Sequence, residues 1–147
     1  MTQFDMHCVG ENGVGLLKMD FLGLRNLTII EESLKIIKEN HGIDIDISTI
    51  PLDDKKAYDL LSSAETTGIF QFESAGMRRY IKELKPTNIF DVMAMVALYR
   101  PGPMANIPEF IARKKNPLLI KYPDPRLVEV LKESYGMLTY QDDVLLT

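Results

Sequence analysis

The chain has 147 residues, of which 46% are hydrophobic and 26% charged, a composition typical of globular domains rather than of disordered chains. Its net charge of −4 does not indicate a nucleic-acid-binding protein when the chain is taken as a whole. No apolar run approaches the roughly 18 residues of a membrane helix, and the N-terminus lacks a signal-peptide pattern. The single cysteine excludes an internal disulfide, so a reducing cytoplasm is the expected location.

The average charge hides a basic middle region. Between Gly76 and Tyr122 the sequence has nine lysines and arginines but only three acidic residues, so this region carries +6 and the rest carries −10. One interpretation is a surface that meets phosphate groups, and the other is a set of solvated helix faces. The sequence leaves both open.

An apolar run bounded by glycines, residues 15–24, predicts the first element, a strand over 15–21. Lys18 and Asp20 stand two residues apart, so they would share one face of that strand. A carboxylate held on a strand can bind a divalent metal, and a lysine beside it can meet a phosphate. The alternative is a strand end whose two polar side chains face water.

The rest of the chain predicts helices joined by short turns. Apolar spacing and N-capping residues indicate helices that begin near Leu27, Asp53 or Asp54, Ser74, Asn88, Pro108, Asp124, and Asp142 or Asp143. Extended segments are expected after Gly42 and at residues 137–140, and a short strand or turn at residues 68–72. Apolar side chains surround the helix over 89–98, which predicts its burial. The expected fold is mainly α with a few short strands, an α+β protein.

A stiff turn, Arg100-Pro101-Gly102-Pro103, follows the apolar helix. Two prolines around a glycine cannot continue a helix and fix the direction in which Arg100 leaves it. The turn therefore holds Arg100 at the end of a helix that is predicted to be buried.

Complete local active-site motifs are missing from the sequence. The glycines at residues 10–15 lack the lysine and hydroxyl of a phosphate-binding Walker loop. His7, Cys8 and His41 are too few to form a zinc site. We therefore do not expect a self-contained active site in this chain.

Seven stretches together resemble the catalytic alpha subunit of bacterial DNA polymerase III, the C family of DNA polymerases, and they follow the order and spacing of that family. They are GLLKMDFLGL at 15–24, IPLDDKK at 50–56, ETTGIFQFESAGM at 65–77, LKP at 84–86, ALYRPGP at 97–103, FIARK at 110–114 and YGMLTYQ at 135–141. The RPGP run is similar to the DnaE-type branch. After Gln141 the family usually continues E-Q-V-M, whereas this chain has Asp142-Asp143-Val144-Leu145.

The resemblance implies a domain organisation. Residues 1–25 would be the C-terminal piece of the palm, with its strand, and residues 26–147 the N-terminal part of the helical fingers, truncated at its C-terminal end. Asp20 matches the third of the three metal-binding aspartates of the family, and Lys18 matches the lysine that contacts the triphosphate of the incoming nucleotide. The other two aspartates form a D-x-D pair upstream. Asp44-Ile45-Asp46 has that spelling but follows the Lys18–Asp20 run, so we interpret it as coincidental.

The implied function is that of a DNA-templated DNA polymerase that extends a primer 3′ end during bacterial chromosome replication. Two Mg²⁺ ions would be the cofactors, with Asp20 as a catalytic metal ligand. The implied partners are primer–template DNA, deoxynucleoside triphosphates and, through parts outside this chain, a sliding clamp and a proofreading subunit, with no membrane. Arg100 is the preferred candidate contact for DNA or a nucleotide, because the RPGP turn fixes where it points. The alternative is a cation that caps the carbonyls at the C-terminal end of the preceding helix. Weaker candidates for the DNA backbone are Arg78, Arg79, Arg113 and Lys114.

One aspartate of three cannot assemble the two-metal site, so the chain alone is expected to be inactive. A rival interpretation is a non-catalytic module of related fold that binds nucleic acid or another protein. A third is a cytosolic helical scaffold without any nucleic-acid role.

Overall fold

The computed structural model describes residues 3–147, and within that range it contains helices and irregular segments but no strand. The chain divides into two compact units, Met1–Asp46 and Ile47–Thr147. The prediction of a mainly helical protein is confirmed, whereas the few short strands are wrong. No helix in the described range is long and apolar enough to cross a membrane.

The first unit contains helix α1 (Met6–Val9) and helix α2 (Arg25–His41). Gly42 ends α2 in the left-handed conformation that glycine adopts most easily, at φ 67°, as the sequence predicts. The predicted strand over residues 15–21 is irregular chain instead. A strand needs a neighbour to accept and donate its backbone hydrogen bonds, and the described residues offer none.

The second unit contains the remaining helices, and side chains at their N-termini fix where the longer ones begin. Asp54, Ser74 and Asn88 each accept a hydrogen bond from a backbone N–H in the first turn of the helix that follows. The α-helices are α3 (Lys55–Ser63), α4 (Ala75–Leu84), α5 (Ile89–Leu98), α6 (Ile107–Lys115), α7 (Val128–Leu131) and α8 (Gln141–Leu146). Single 3₁₀ turns occupy Ile47–Thr49, Pro103–Asn106, Pro117–Leu119, Pro125–Leu127 and Lys132–Ser134.

Helices α4, α5 and α6 build the core of the second unit. The apolar side chains buried there include Met77, Ile81, Leu84, Ala94, Met95, Leu98, Ile107, Phe110 and Ile111. The predicted burial of α5 holds for one side only, since Phe90 and Met93 remain 41% and 48% exposed. Apolar composition therefore overstated how much of this helix the unit can cover.

The connections of the second unit are turns rather than strands. The loop at residues 66–72 consists of two consecutive turns, closed by hydrogen bonds from Ile69 N to Thr66 O (3.1 Å) and from Phe72 N to Ile69 O (3.0 Å). Of the two predictions for residues 68–72, the turn is the correct one. Residues 137–140 are irregular chain that leads into α8.

Candidate nucleic-acid interface

Lys18 and Asp20 lie in the irregular chain of the first unit. The Lys18 ammonium is 4.0 Å from the Asp20 carboxylate, and the two side chains are 68% and 85% exposed. Among residues 3–147 no group of three His, Cys, Asp or Glu side chains is arranged to hold a metal. Asp20 can offer one oxygen ligand of the kind that Mg²⁺ prefers, but it needs further ligands to make a site.

Arg100 lies where α5 passes into the following 3₁₀ turn. Its backbone N–H donates to Leu98 O (2.8 Å), and its carbonyl accepts from Met104 N (3.1 Å). Gly102, at φ 99° and ψ −78°, occupies a conformation that a residue with a Cβ rarely adopts. The Arg100 side chain is exposed and has no carboxylate within 4.0 Å among residues 3–147. The turn thus fixes the backbone and leaves the guanidinium free.

Helix α4 carries cations in two different situations. Arg78 is half-buried and donates from Nη2 to Thr67 Oγ1 (2.8 Å). Arg79 is exposed, with its guanidinium 4.8 Å from the Tyr80 ring centroid. Lys82 and Lys85 are exposed as well, and neither forms an ion pair within the described part of the chain. We call Arg79, Lys82 and Lys85 the basic face of α4, although Lys85 is the C-cap residue that follows the helix.

Arg113 is occupied by internal contacts. Its guanidinium bonds to the Glu109 carboxylate (2.6 Å) and donates from Nη1 to the carbonyls of Lys121, Tyr135 and Gly136 (3.2, 3.0 and 3.1 Å). Gly136 has φ 76°, and a Cβ there would lie 2.5 Å from Lys121 O, so only glycine fits this close approach. Arg113 therefore joins α6 to two segments that follow it in the chain.

Lys114 is half of a buried ion pair with Asp91, which is only 1% exposed. The two groups are 2.7 Å apart, and the Asp91 carboxylate also accepts from Thr87 N (2.9 Å) and the Tyr135 hydroxyl (2.8 Å). Lys114 further donates to Lys85 O (2.6 Å). Each charge has several partners, as burial of an ion pair requires.

The same network affects a nearby phenol. Burial, together with the hydrogen bond to Asp91, raises the pKa of Tyr135 well above its ordinary value. Local sequence patterns did not predict this cluster. A signal was present, because an aspartate inside an apolar helix is seldom buried without a cationic partner.

The second unit thus separates the predicted candidates by availability. Arg79 and Arg100 are exposed, Arg78 is half-buried beside Thr67, and Arg113 and Lys114 are 14% and 12% exposed in their side chains. Solvent-facing guanidinium and ammonium groups can reach a phosphate oxygen without breaking internal bonds. The basic face of α4 and Arg100 are therefore the more accessible candidates.

Comparison with known proteins identifies the relatives of this chain. Residues 26–147 match the family described as "Bacterial DNA polymerase III alpha subunit finger domain". The DNA polymerase III subunit alpha of Staphylococcus aureus (strain COL) is 50% identical over 132 residues, 90% of this chain and 12% of the relative. The subunit alpha of Staphylococcus epidermidis (strain ATCC 12228 / FDA PCI 1200) is also 50% identical, over 133 residues, with the same coverage. The chain spans about 12% of the length of these relatives. It belongs to the family of bacterial DNA polymerase III alpha subunits, with the finger-domain match covering most of its length.

Proposed function

We propose that this chain contributes to DNA-templated DNA synthesis as part of a polymerase III alpha subunit. The observation that carries the proposal is the 50% identity over 90% of the chain to proteins named DNA polymerase III subunit alpha. The reaction would extend a primer 3′ end on a template strand, with deoxynucleoside triphosphates as substrates, during chromosome replication in the bacterial cytoplasm. Residues 1–25 would belong to the palm and residues 26–147 to the fingers.

Asp20 and Lys18 would serve the chemistry from residues 1–25. When bound, magnesium lowers the pKa of the attacking 3′-hydroxyl and holds the triphosphate. Asp20 would supply one ligand, and the Lys18 ammonium would offset phosphate charge. Their exposure, at 85% and 68%, leaves both groups accessible to ligands and to further carboxylates.

The exposed cations of the second unit would hold the nucleic acid. Arg100 and the basic face of α4 would contact backbone phosphates, which positions DNA without reading its bases. Arg78, Arg113 and Lys114 are less suited, because they already hold internal partners. A sliding clamp and a proofreading subunit would bind elsewhere on the complete alpha subunit.

The test is primer extension by the complete alpha subunit that carries this sequence, wild type against Asp20→Asn, with Mg²⁺ and all four deoxynucleotides. Asparagine keeps the shape and removes the charge that binds metal. We expect extension to fall by about 100-fold or more, the effect of losing one group that stabilises transition-state charge. Asp53→Asn, at another exposed aspartate, is the matched control and should extend like the wild type.

Equal extension by the wild type and Asp20→Asn would refute the role of Asp20. The 147-residue chain alone should not extend a primer, since Asp20 has no carboxylate cluster around it in residues 3–147. A second candidate function, a DNA-binding module without chemistry, rests on the exposed, unpaired cations of the second unit, which can bind phosphates without catalysis. It would be supported if the complete subunit bound primer–template DNA but extended nothing.

A further inference from the structure

A small cleft opens beside the RPGP turn, within the second unit. It has a volume of about 260 Å³ and is lined by Gln71, Met77, Val96, Tyr99 and Arg100. Pockets for whole drug-sized ligands measure about 300–1,000 Å³, so this one has room for a single flat ring system. Val96 and the nearly buried Met77, which is 2% exposed, supply its apolar lining, and the other three residues supply its polar groups.

Gln71 is held in a strained backbone conformation at this cleft. Its φ is 65°, a left-handed value that is uncommon for residues other than glycine. The flanking turns maintain it, because Thr66 Oγ1 donates to Phe72 O (2.5 Å) and the Glu73 carboxylate accepts from Gly68 N (2.9 Å). Strained residues that persist in this way are concentrated at ligand sites. The Gln71 amide is exposed and has no hydrogen-bond partner among residues 3–147.

The aromatic wall of the cleft is fixed without any ligand. The Tyr99 hydroxyl accepts from Ser74 Oγ (3.3 Å), and the Tyr99 ring meets the Tyr80 ring edge-on, 6.1 Å between centroids. Glycine at position 76 allows the Tyr99 side chain to lie here, because a Cβ at that position would overlap the Tyr99 hydroxyl. A preorganised wall of this kind reduces the entropic cost of binding.

We propose that this cleft binds one unstacked nucleotide. A base would lie against Val96 and Tyr99, the Gln71 amide would bond to the edge of the base, and Arg100 would meet the adjacent phosphate. Aromatic and apolar surfaces combined with an amide and an arginine are the groups with which proteins hold splayed-out bases. The inference rests on the proposed function, since it names where the nucleic acid would contact this chain.

The charge of the cleft favours a nucleotide within a strand over a free triphosphate. Arg100 is the one cationic residue among the five that line it. One guanidinium can balance one phosphodiester, whereas a triphosphate calls for several cations or a metal ion. The nucleotide chemistry is shared by both sources, so the experiment needs an arm for each.

The first arm measures binding of the complete alpha subunit to a primer–template with a single-stranded template overhang. One nucleotide of the overhang is abasic, and a series of substrates places this abasic site at each of the first overhang positions in turn. For the wild type we expect one position at which loss of the base weakens binding by about fivefold or more, the lower end of a stacking contribution. Gln71→Ala removes only the amide contact to the base, so the difference between the intact and abasic strands should become smaller at that position. Gln141→Ala, at another exposed glutamine, should keep the difference.

Two further variants separate loss of the side-chain contacts from disturbance of the loop. Gln71→Gly removes the amide while accepting the positive φ, so it tests the side chain even if alanine disturbs the loop. Arg100→Ala should make the salt dependence of single-strand binding shallower by about 0.7 in log K against log salt, the value for one phosphate contact. Arg126→Ala, at an arginine paired with Asp124, should leave that slope unchanged.

The second arm measures binding of free deoxynucleoside triphosphates by the same variants. If the variants weaken only the binding of the single strand, the ligand of the cleft is a nucleotide within a strand. If they weaken only the binding of triphosphates, the cleft binds a free nucleotide. If Gln71→Ala, Gln71→Gly and Arg100→Ala all match the wild type in both arms, the inference is overturned. Binding is measured apart from extension, so a subunit that binds DNA but fails to extend primers counts against the proposed function and not against the cleft.

Discussion

Among single residues, the basic side chains fall into two groups: those that bond to other groups inside the fold and those that face solvent. Arg113 and Lys114 stand in a basic run with Lys115, and sequence spacing cannot distinguish the three. The structure gives Arg113 three carbonyl partners and pairs Lys114 with Asp91, whereas Lys115 is exposed. That distinction depends on residues far away in the chain, such as Tyr135, which no local pattern reveals.

Two half-buried tyrosines offer a matched pair of substitutions. Tyr135→Phe removes a hydrogen bond to the Asp91 carboxylate, so we expect a loss of about 1.5–3 kcal/mol in the free energy of unfolding. Tyr140→Phe removes a buried hydroxyl without a partner among residues 3–147, and this should be neutral or stabilising by about 1 kcal/mol. Urea unfolding measures both. Equal decreases in stability would contradict the assignment of partners.

The same phenols predict how stability depends on alkaline pH. Burial and the nearby Asp143 carboxylate raise the pKa of Tyr140 to about 12. An unfolded tyrosine has a pKa of about 10, so the unfolded chain loses its proton first as the pH rises. Stability should therefore fall between about pH 10 and pH 12. Tyr140→Phe should make this fall shallower in unfolding curves, and an unchanged fall would contradict the shift.

At the scale of elements, local signals predicted the helices well. Capping residues such as Asp54, Ser74 and Asn88 act within one turn of their own position, so the sequence alone locates the helix starts. The strand over residues 15–21 failed, since pairing depends on a partner strand and not on alternation alone. The buried network around Asp91 was not predicted either, because its partners come from distant elements.

Arg113 of α6 is predicted to stabilise the fold through its bonds to backbone carbonyls. Arg113→Ala leaves three carbonyls without their donor and should lower the free energy of unfolding by about 2 kcal/mol or more. Arg113→Lys should recover only part of this, because an ammonium lacks the planar fork of a guanidinium. Lys115→Ala, at an exposed neighbour, should change little. Denaturation midpoints test the set.

A purely DNA-contacting Arg113 would give the opposite pattern. Its alanine variant would then keep the wild-type denaturation midpoint and bind primer–template DNA more weakly. We expect the reverse, with a lowered midpoint and an unchanged salt dependence of DNA binding. The two measurements together decide whether this arginine acts inside the fold or on the nucleic acid.

Across the whole molecule, the two units differ in how much apolar surface they bury. None of the residues described in the first unit is buried, and Leu17, Phe21 and Leu22 are 82%, 90% and 89% exposed. The second unit has a core and carries the basic middle region of the sequence. Its surface is less basic than the sequence indicates, because Arg113 and Lys114 lie inside it.

Exposed, unpaired cations are expected to meet the DNA phosphates, whereas cations already paired with carboxylates are not. The most direct test is the salt dependence of primer–template affinity for the complete alpha subunit. It compares Arg79→Ala/Lys82→Ala/Lys85→Ala, which removes the basic face of α4, with a triple variant at ion-paired exposed cations. That control is Lys55→Ala/Arg126→Ala/Lys132→Ala, which changes the net charge equally.

We predict that removal of the basic face makes the slope of log K against log salt shallower by about 0.9 for each duplex phosphate that the variant no longer neutralises. The control variant should keep the wild-type slope. Equal slopes in the two triple variants would contradict the claim, because they would mean that the basic face of α4 meets no more phosphate than cations already paired with carboxylates.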